Sequence, residues 1–220
     1  MLGLTLARIH GLPEPAHIQD DSIVCHPKAP PRYAGIPRIV NSHSMPHYLQ
    51  RSALANQLLG LPPTLILVRD LRDALVAGHE KWKYDYHVDS STYLRGDVNG
   101  KRYDTNIWEQ LRFLNGWGAV AAGNPARTAI LRYEGLRADT PGELARVCEF
   151  FGIDEATPDL LASVIADATN EEGAEGPNPA IGRPAARLDD RPAVRWCDDA
   201  DRRFIAGLCR RHLRYDFSYN

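Results

Sequence analysis

The chain has 220 residues and a mass of 24.5 kDa, which is long enough for one domain with a well-buried core. Hydrophobic residues make up 44% of the chain and charged residues 25%, as in ordinary soluble globular proteins. The formal net charge of -2 argues against non-specific nucleic-acid binding. We therefore predict a single domain over residues 1–220 and no nucleic-acid partner.

The N-terminus and the cysteines indicate the compartment. Residues 1–9 carry apolar residues on several faces and are followed by Gly11 and Pro13, which predicts a short buried helix and neither a signal peptide nor a membrane span. The cysteines form no C-x-x-C pair, and Cys148 and Cys209 lie among apolar helical neighbours, as in a reducing compartment. We expect a cytoplasmic protein without a transmembrane segment.

The first half of the chain alternates short apolar runs with helical patterns. Strands are predicted at residues 22–26, 36–40 and 64–68, helices at 51–60 and from about 70, and loops at 19–33 and 90–104. Gly60 is the expected stop of the second helix. The run "TLILV" is entirely apolar, so its strand is expected to be buried on both faces.

The second half continues the alternation. Helices are predicted at residues 106–122, 141–151, 158–168 and 199–213, a strand at 127–133, and a flexible loop at 170–198. Thr140 and Glu143 have the spacing of a capping box, and Gly152 is the expected helix stop. Strands that alternate with helices predict an α/β fold, with a central parallel sheet flanked by helices in three layers.

Three predicted strands run into polar side chains. His43 follows the strand at 36–40, Arg69 follows "TLILV", and Tyr133 closes "RTAILRY". A single arginine or histidine in such a position is more often an ion-pair partner or incidental. Ligands bind beyond the carboxyl ends of parallel strands, so together these residues place a base, an anion-binding fork and an aromatic ring along one edge.

The stretches "LILVRDLRDALVA" and "LRYEGLRADTPGELARVCEFFGI" resemble the sulfotransferases that use 3'-phosphoadenosine 5'-phosphosulfate (PAPS). The resemblance covers residues 1–153 in order and spacing, and it implies a P-loop-like fold. It implies that Arg69 binds the 3'-phosphate and that Tyr133 lies near the adenine. His43, in "NSHSMP", takes the place of the family's catalytic histidine.

Elementary chemistry agrees with these implied roles. The planar fork of arginine suits a phosphate monoester, and the start of a helix after Arg69 favours an anion. A hydroxyl acceptor needs a base to take its proton, and histidine, with an unperturbed pKa of ~6.5, suits that task near neutral pH. No metal is expected: His43 and His47 are separated by Pro46, which argues against a zinc-binding helix face.

The sequence also departs from the family pattern. It contains no loop like "PKSGTTWL", which in the family binds the 5'-phosphosulfate, and residues 1–13 look like the helix that follows such a loop. Asn41 replaces the lysine expected near the histidine, and Ala77 replaces a serine that contacts the 3'-phosphate. We therefore expect the chain to begin just after that loop and, alone, to have little transfer activity.

Two further segments offer binding residues. Arg187 and Arg191, with Arg183 and Arg195, stand where the family carries an Arg-Lys-Gly element over the 3'-phosphate, although a solvated loop is an equally good interpretation. Residues 81–89 mix aromatic and charged side chains and are either an acceptor-binding wall or a partly packed amphipathic segment.

The leading hypothesis is a PAPS-dependent sulfotransferase that acts on a hydroxyl or amine acceptor, with His43 as general base. The acceptor would be a small molecule, a carbohydrate or a lipid; the sequence specifies neither which of these it is nor the oligomeric state. The first alternative is a degenerate sulfotransferase-like protein that serves as a nucleotide-binding or interaction module. The second is a misassigned start or fragmented gene.

Overall fold

The computed structural model describes residues 2–13, 17–19, 33–36, 39–97, 103, 105–172 and 197–217. In chain order the helices and strands are α1 (Leu2–Ile9), β1 (His17–Gln19), β2 (Ile39–Asn41), α2 (Ala53–Leu59), β3 (Thr64–Val68), α3 (Leu71–Tyr86), α4 (Ser90–Arg95), α5 (Ile107–Gly123), β4 (Thr128–Arg132), α6 (Tyr133–Ala138), α7 (Thr140–Phe150), α8 (Pro158–Glu172) and α9 (Asp199–His212). Short 3₁₀ turns cover Tyr48–Arg51 and Pro125–Arg127. Among the described helices, none has the length and apolar character needed to span a bilayer.

The four described strands form two pairs. β1 runs parallel to β2, with His17 opposite Ile39. β3 pairs with β4, and Arg127, just before β4, donates a hydrogen bond to the carbonyl of Leu61, just before β3. A contact between the residues that precede both strands indicates that β3 and β4 also run in the same direction. The predicted α/β fold with parallel strands is confirmed.

The predicted burial of β3 on both faces is wrong. Ile66 and Val68 are buried, whereas the side chain of Leu67 between them is 53% exposed. Successive side chains of a strand point to opposite faces, so Leu67 lies on the face opposite to its two buried neighbours. The all-apolar run therefore forms a strand with one buried face and one exposed face, a difference that its sequence pattern does not indicate.

The segment after α3 also differs from its prediction, because residues 90–95 form helix α4 where a loop was expected. The Asp89 carboxylate accepts hydrogen bonds from the backbone N–H and the hydroxyl of Thr92, at 2.9 and 2.8 Å. This N-cap starts the helix. Tyr93 and Leu94 are fully buried and anchor it, so tertiary packing stabilises a turn with a largely polar sequence.

Most other predicted elements are present, with shifts at their ends. Gly60 stops α2 in the left-handed region at φ 58°, as expected. The N-cap of α7 is Asp139, one residue before the predicted Thr140, and its carboxylate accepts from the Gly142 N–H at 3.0 Å. Strand β1 was not predicted. The strand expected at 22–26 lies outside the described residues, as does most of the loop at 170–198, whose first residues belong to α8.

By their packing, the residues divide into two units, and the first comprises Met1–Leu67 and Val120–Glu172. In this unit α1, α7 and α8 pack on one another around the buried side chains of Leu144, Cys148 and Leu161. Burial raises the pKa of the Cys148 thiol, which fits the predicted role of this cysteine as a core residue.

The second unit comprises Val68–Ala119 and Gly173–Asn220, and its described core is formed by α3, α4, α5 and α9. Leu75, Tyr93 and Ile107 are fully buried at its centre. Asp201 of α9 is buried as well, and its carboxylate accepts hydrogen bonds from Ser91 at 2.8 Å and Arg95 at 2.5 Å of α4. This charged contact fixes α4 on α9.

Candidate functional site

The histidine at the end of β2 lies in an irregular loop. β2 ends at Asn41, and His43 follows two residues later with an exposed side chain. The Ser44 N–H donates to the Ser42 hydroxyl at 2.9 Å, which makes a tight local turn around His43. The ring is thus accessible on a locally ordered turn, as a group that exchanges protons with a bound molecule requires.

The loop is held firmly on its C-terminal side. In the 3₁₀ turn that follows, Gln50 accepts the His47 N–H at 2.8 Å, and the His47 ring accepts the Leu49 N–H at 3.3 Å. The buried amides of Asn56 and Asn124 both donate to the Gln50 carbonyl at 2.8 Å. We call Gln50, Asn56 and Asn124 the amide anchor, because it ties the loop after His43 to α2 and to the end of α5.

The arginine turn joins β3 to α3. Arg69 is half-buried and directly precedes Asp70, the N-cap of α3. The Asp70 carboxylate accepts the Arg72 backbone N–H at 2.9 Å and the Arg72 guanidinium at 3.0 and 2.6 Å. Such forked, charge-assisted bonds fix geometry as well as charge. The backbone position of Arg69 is therefore set by the next three residues.

The charge of Asp70 is stabilised by this contact. Burial raises the pKa of the carboxyl, but the hydrogen bonds and the positive charge of Arg72 outweigh burial and leave the pKa below its usual value. In return, Asp70 raises the pKa of Arg72. The negative charge at the start of α3 is thus offset by Arg72. Sequence reasoning missed Arg72, although a basic residue two positions after an N-cap aspartate was a usable signal.

Tyr133 is the first residue of α6, immediately after β4. Its side chain is half-buried. Helix α7 supports the middle of this strand, because the Arg146 guanidinium donates to the Ile130 carbonyl of β4 at 3.2 Å and also bonds to Glu143. Tyr133 thus directly follows β4, where the sequence predicts an aromatic ring.

A shallow pocket lies beside the same strands. Its volume is about 300 Å³, and its lining residues are Leu65, Ala129, Arg146, Val147, Glu149 and Phe150. Among the predicted site residues that the structure describes, none lines it, and its walls come from β3, β4 and α7.

The other residues singled out in the sequence differ in their exposure to solvent, and some lie outside the described residues. Asn41 is exposed at the end of β2, and Ala77 is half-buried in α3. Residues 81–86 form the end of α3, and residues 87–89 connect it to α4. Tyr84 is 77% exposed, and Trp82 is 37% exposed with the Lys81 ammonium 4.8 Å from its ring centre. The C-terminal arginines at 183, 187, 191 and 195 lie outside the described residues. In the described ranges, no group of three or more His, Cys, Asp or Glu residues has an arrangement that could hold a metal ion.

His43, Arg69 and Tyr133 each follow a different strand, as the sequence predicts. His43 and Tyr133 belong to the first unit, and Arg69 belongs to the second. The structure thus confirms the position of each residue at its own strand end. Their joint binding of one ligand remains a prediction.

The chain is similar to known sulfotransferases in sequence and in fold. A family model described as "Sulfotransferase domain" matches residues 27–176. Sulfotransferase 2A1 of Mus musculus is 27% identical over 133 residues, and Sulfotransferase 2A2 of Rattus norvegicus is 26% identical over 133 residues. Each alignment covers 59% of this chain and 43% of the relative, so the chain matches less than half the length of these relatives.

A solved structure supports the fold. The crystal structure of mouse sulfotransferase SULT7A1 complexed with PAP covers 97% of this chain and 80% of its own chain, with a TM-score of 0.61 and 14% identity. At this identity the likeness concerns the fold alone. The family model matches well over half of the chain, and the matched region contains His43, Arg69 and Tyr133. The chain belongs to the sulfotransferase family.

Proposed function

We propose that the protein transfers a sulfuryl group from PAPS to a hydroxyl or amine of a small-molecule, carbohydrate or lipid acceptor. The observation that carries the proposal is the family match over residues 27–176, which includes the three residues predicted from the strand ends. The structural neighbour was solved with PAP, the product that remains when PAPS loses its sulfuryl group. This supports PAPS as the donor.

Arg69 is proposed to bind the 3'-phosphate of the donor. A guanidinium offers two parallel N–H donors to a phosphate, and it stays charged at every relevant pH. Arg69 also precedes the 16-residue helix α3, whose first backbone N–H groups favour a neighbouring anion. The donor set at this turn fits a phosphate group, because Arg72 already offsets the charge of Asp70.

His43 is proposed as the general base. When bound, PAPS supplies the sulfuryl group. The neutral ring of His43 accepts the proton of the acceptor hydroxyl as that oxygen attacks sulfur, and the bond from sulfur to the phosphate oxygen breaks. A base of this kind typically contributes roughly 10²–10⁴-fold in rate. The exposed position of His43 suits this role, because an acceptor must reach the ring.

Tyr133, Arg187 and Arg191 complete the proposed donor site. Tyr133 would stack against or border the adenine, since a half-buried aromatic ring offers an apolar face to a base. Arg187 and Arg191 would add positive charge near the 3'-phosphate. The two arginines rest on the family resemblance alone.

The proposal is tested by transfer and by binding, measured separately. In a version of the chain extended by the loop that binds the 5'-phosphosulfate, assayed with ³⁵S-labelled PAPS and a panel of phenol, sterol and sugar acceptors, His43→Ala should lose at least about 100-fold in transfer and bind PAP like the parent in calorimetry. Arg69→Ala should instead weaken PAP binding. His10→Ala and Arg51→Ala, both at exposed positions, serve as matched controls.

The outcomes separate the two candidate functions. PAP binding that depends on Arg69, without transfer to any acceptor, would favour the nucleotide-binding module. PAP binding that is unchanged in Arg69→Ala would show that the Arg69 assignment is wrong. Transfer that persists in His43→Ala would show that the assignment of His43 as general base is wrong.

A further inference from the structure

Helix α2 is amphipathic in the reverse of the usual sense. Its one buried residue is Asn56, whose side-chain amide donates to the carbonyls of Gln50 and Ser52 at 2.8 and 2.9 Å. Leu54 and Leu58 are instead 65% and 74% exposed. A surface helix of a globular protein normally turns its apolar side chains toward the core and its polar side chains toward solvent. The arrangement in α2 therefore calls for a reason beyond the packing of the single chain.

The two leucines lie on the side of α2 opposite to Asn56. At about 100° per residue, Leu54 and Leu58 stand about 20° to either side of the point opposite Asn56. They are ~6 Å apart along the helix axis and form one ridge. Leu59, which is 48% exposed, lies next to Leu58 around the helix. We call Leu54, Leu58 and Leu59 the leucine face.

The leucine face belongs to a cluster of exposed apolar side chains. The described residues expose seven large apolar side chains, and four of them lie between residues 48 and 59, the fourth being Tyr48 in the turn on which α2 packs. Helix propensity does not explain the leucines, because lysine, glutamine and glutamate form helices about as well. A single exposed apolar residue is ordinary, whereas a cluster of them marks a contact surface.

The charge of this region favours a second copy of the chain as the partner. Residues 52–68 include no charged side chain, so two copies bring no like charges together there. A charged partner would find no group on the leucine face with which to pair. A membrane surface fits less well, because interfacial helices place basic residues on their polar side, and in α2 that side holds the buried Asn56.

The leucine face is preformed. On the opposite side of α2 the amide anchor fixes the helix, because Asn56 and Asn124 both donate to the Gln50 carbonyl at 2.8 Å. The Ser52 hydroxyl caps the first turn by accepting a backbone N–H at 3.2 Å. A surface that is already ordered associates without the entropy cost of ordering it.

We propose that two copies of the chain associate through their leucine faces about a two-fold axis. In this antiparallel arrangement Leu54 of one copy packs against Leu58 of the other, and symmetry repeats the contact. With Tyr48, the exposed side chains offer roughly 400 Å² of apolar surface in each copy. Two copies therefore come close to the ~1,000 Å² that a specific interface needs, so we expect a weak dimer with a Kd of about 1–100 μM.

The inference goes beyond the proposed reaction and does not depend on it, because its readout is association and not transfer. Sedimentation velocity of the full chain between about 1 and 500 μM covers the expected range of Kd. Leu54→Lys and Leu58→Glu should each raise the Kd at least about tenfold, because each places unpaired charges in the contact. Ala162→Glu, which adds a charge at an exposed position of α8, should change the Kd less than about twofold.

An equimolar mixture of Leu54→Lys and Leu58→Glu tests the antiparallel arrangement. In the mixed dimer the introduced lysine faces the introduced glutamate at one contact, and the two native leucines remain together at the other. The mixture should therefore associate at least about tenfold more tightly than either variant alone. This rescue also shows that both variants are folded, which their far-UV circular dichroism checks independently.

Four results would overturn the proposal. The first is a parent chain that stays monomeric up to about 500 μM. The second is an unchanged Kd in Leu54→Lys and Leu58→Glu, which would assign the association to another surface. The third is a mixture that associates no more tightly than its components. The fourth is a monomeric parent that binds phosphatidylcholine or phosphatidylserine vesicles and loses this binding in Leu58→Glu, which would make the leucine face a lipid contact.

Discussion

Replacement of Asp70 by alanine tests whether the turn after Arg69 is built as described. The change removes the N-cap of α3, which costs about 1 kcal/mol. It also removes the two bonds to the Arg72 guanidinium, a side chain that is 48% exposed, so solvent screening limits their loss to about 1 kcal/mol. The free energy of unfolding should therefore fall by about 2 kcal/mol, and the Tm by about 4–8 °C.

Asp70→Asn is the matched control, because asparagine caps a helix about as well as aspartate but carries no charge. Its free energy of unfolding should fall only by the contribution of the charged contact with Arg72, about 1 kcal/mol. Urea unfolding at neutral pH, followed by tryptophan fluorescence, measures both variants. If the two variants lose the same amount, or if Asp70→Ala loses less than about 0.5 kcal/mol, the described contact does not stabilise the turn.

The same contact predicts a dependence on pH. The pKa of Asp70 in the folded protein lies below its ordinary value of 3.8, so the charge adds stability above that pH. This stability is lost as the pH falls through the folded pKa. The difference in unfolding free energy between the parent and Asp70→Asn should therefore be constant from pH 7 down to about 4 and shrink below it. A difference that stays constant into the acid range would contradict the assigned pKa direction.

Three further predictions concern packing, each measured as a change in the free energy of unfolding. Leu75→Ala, at a fully buried site, should cost about 2–5 kcal/mol, whereas Leu54→Ala, at a site that is 65% exposed, should cost little. Gly118→Ala should cost about 1–3 kcal/mol, because the new Cβ would lie 2.4 Å from the Tyr215 ring. Gly207→Ala should instead stabilise α9 by about 0.5–1 kcal/mol, because its nearest neighbour is a flexible arginine tip at 3.9 Å. Equal effects within either pair would contradict the described packing.

Local signals predicted much of the fold. Gly60 and Gly152 mark helix ends because both adopt the left-handed conformation, at φ 58° and 66°. The strand "TLILV" and the helix after it were placed almost to the residue. The predictions were wrong where contacts between distant parts of the chain determine the local structure. Helix α4 depends on burial of Tyr93, and the accessible face of β3 depends on what covers Leu67, neither of which the sequence nearby encodes.

The candidate site was predictable to the same extent. The positions of His43, Arg69 and Tyr133 after their strands follow from hydrophobic runs that end in polar residues. The supports of these residues were not predictable, because they depend on distant partners. The carbonyl of Gln50 is held by an amide 74 residues away in the chain, and the middle of β4 is held by a side chain from α7. Sequence thus locates the residues proposed for the site better than the contacts that hold them.

The amide anchor has a consequence for pH experiments on the proposed enzyme. Gln50, Asn56 and Asn124 are uncharged, so their hydrogen bonds persist across the range in which histidine titrates. His47, the N-cap of the same turn, accepts the Leu49 N–H through a ring nitrogen at 3.3 Å. Asparagine at position 47 can supply a similar acceptor from an uncharged amide. In a His47→Asn background, the turn that follows His43 rests on uncharged amides, so the parent residue and a His43 variant can be compared at several pH values with the same support beneath the loop.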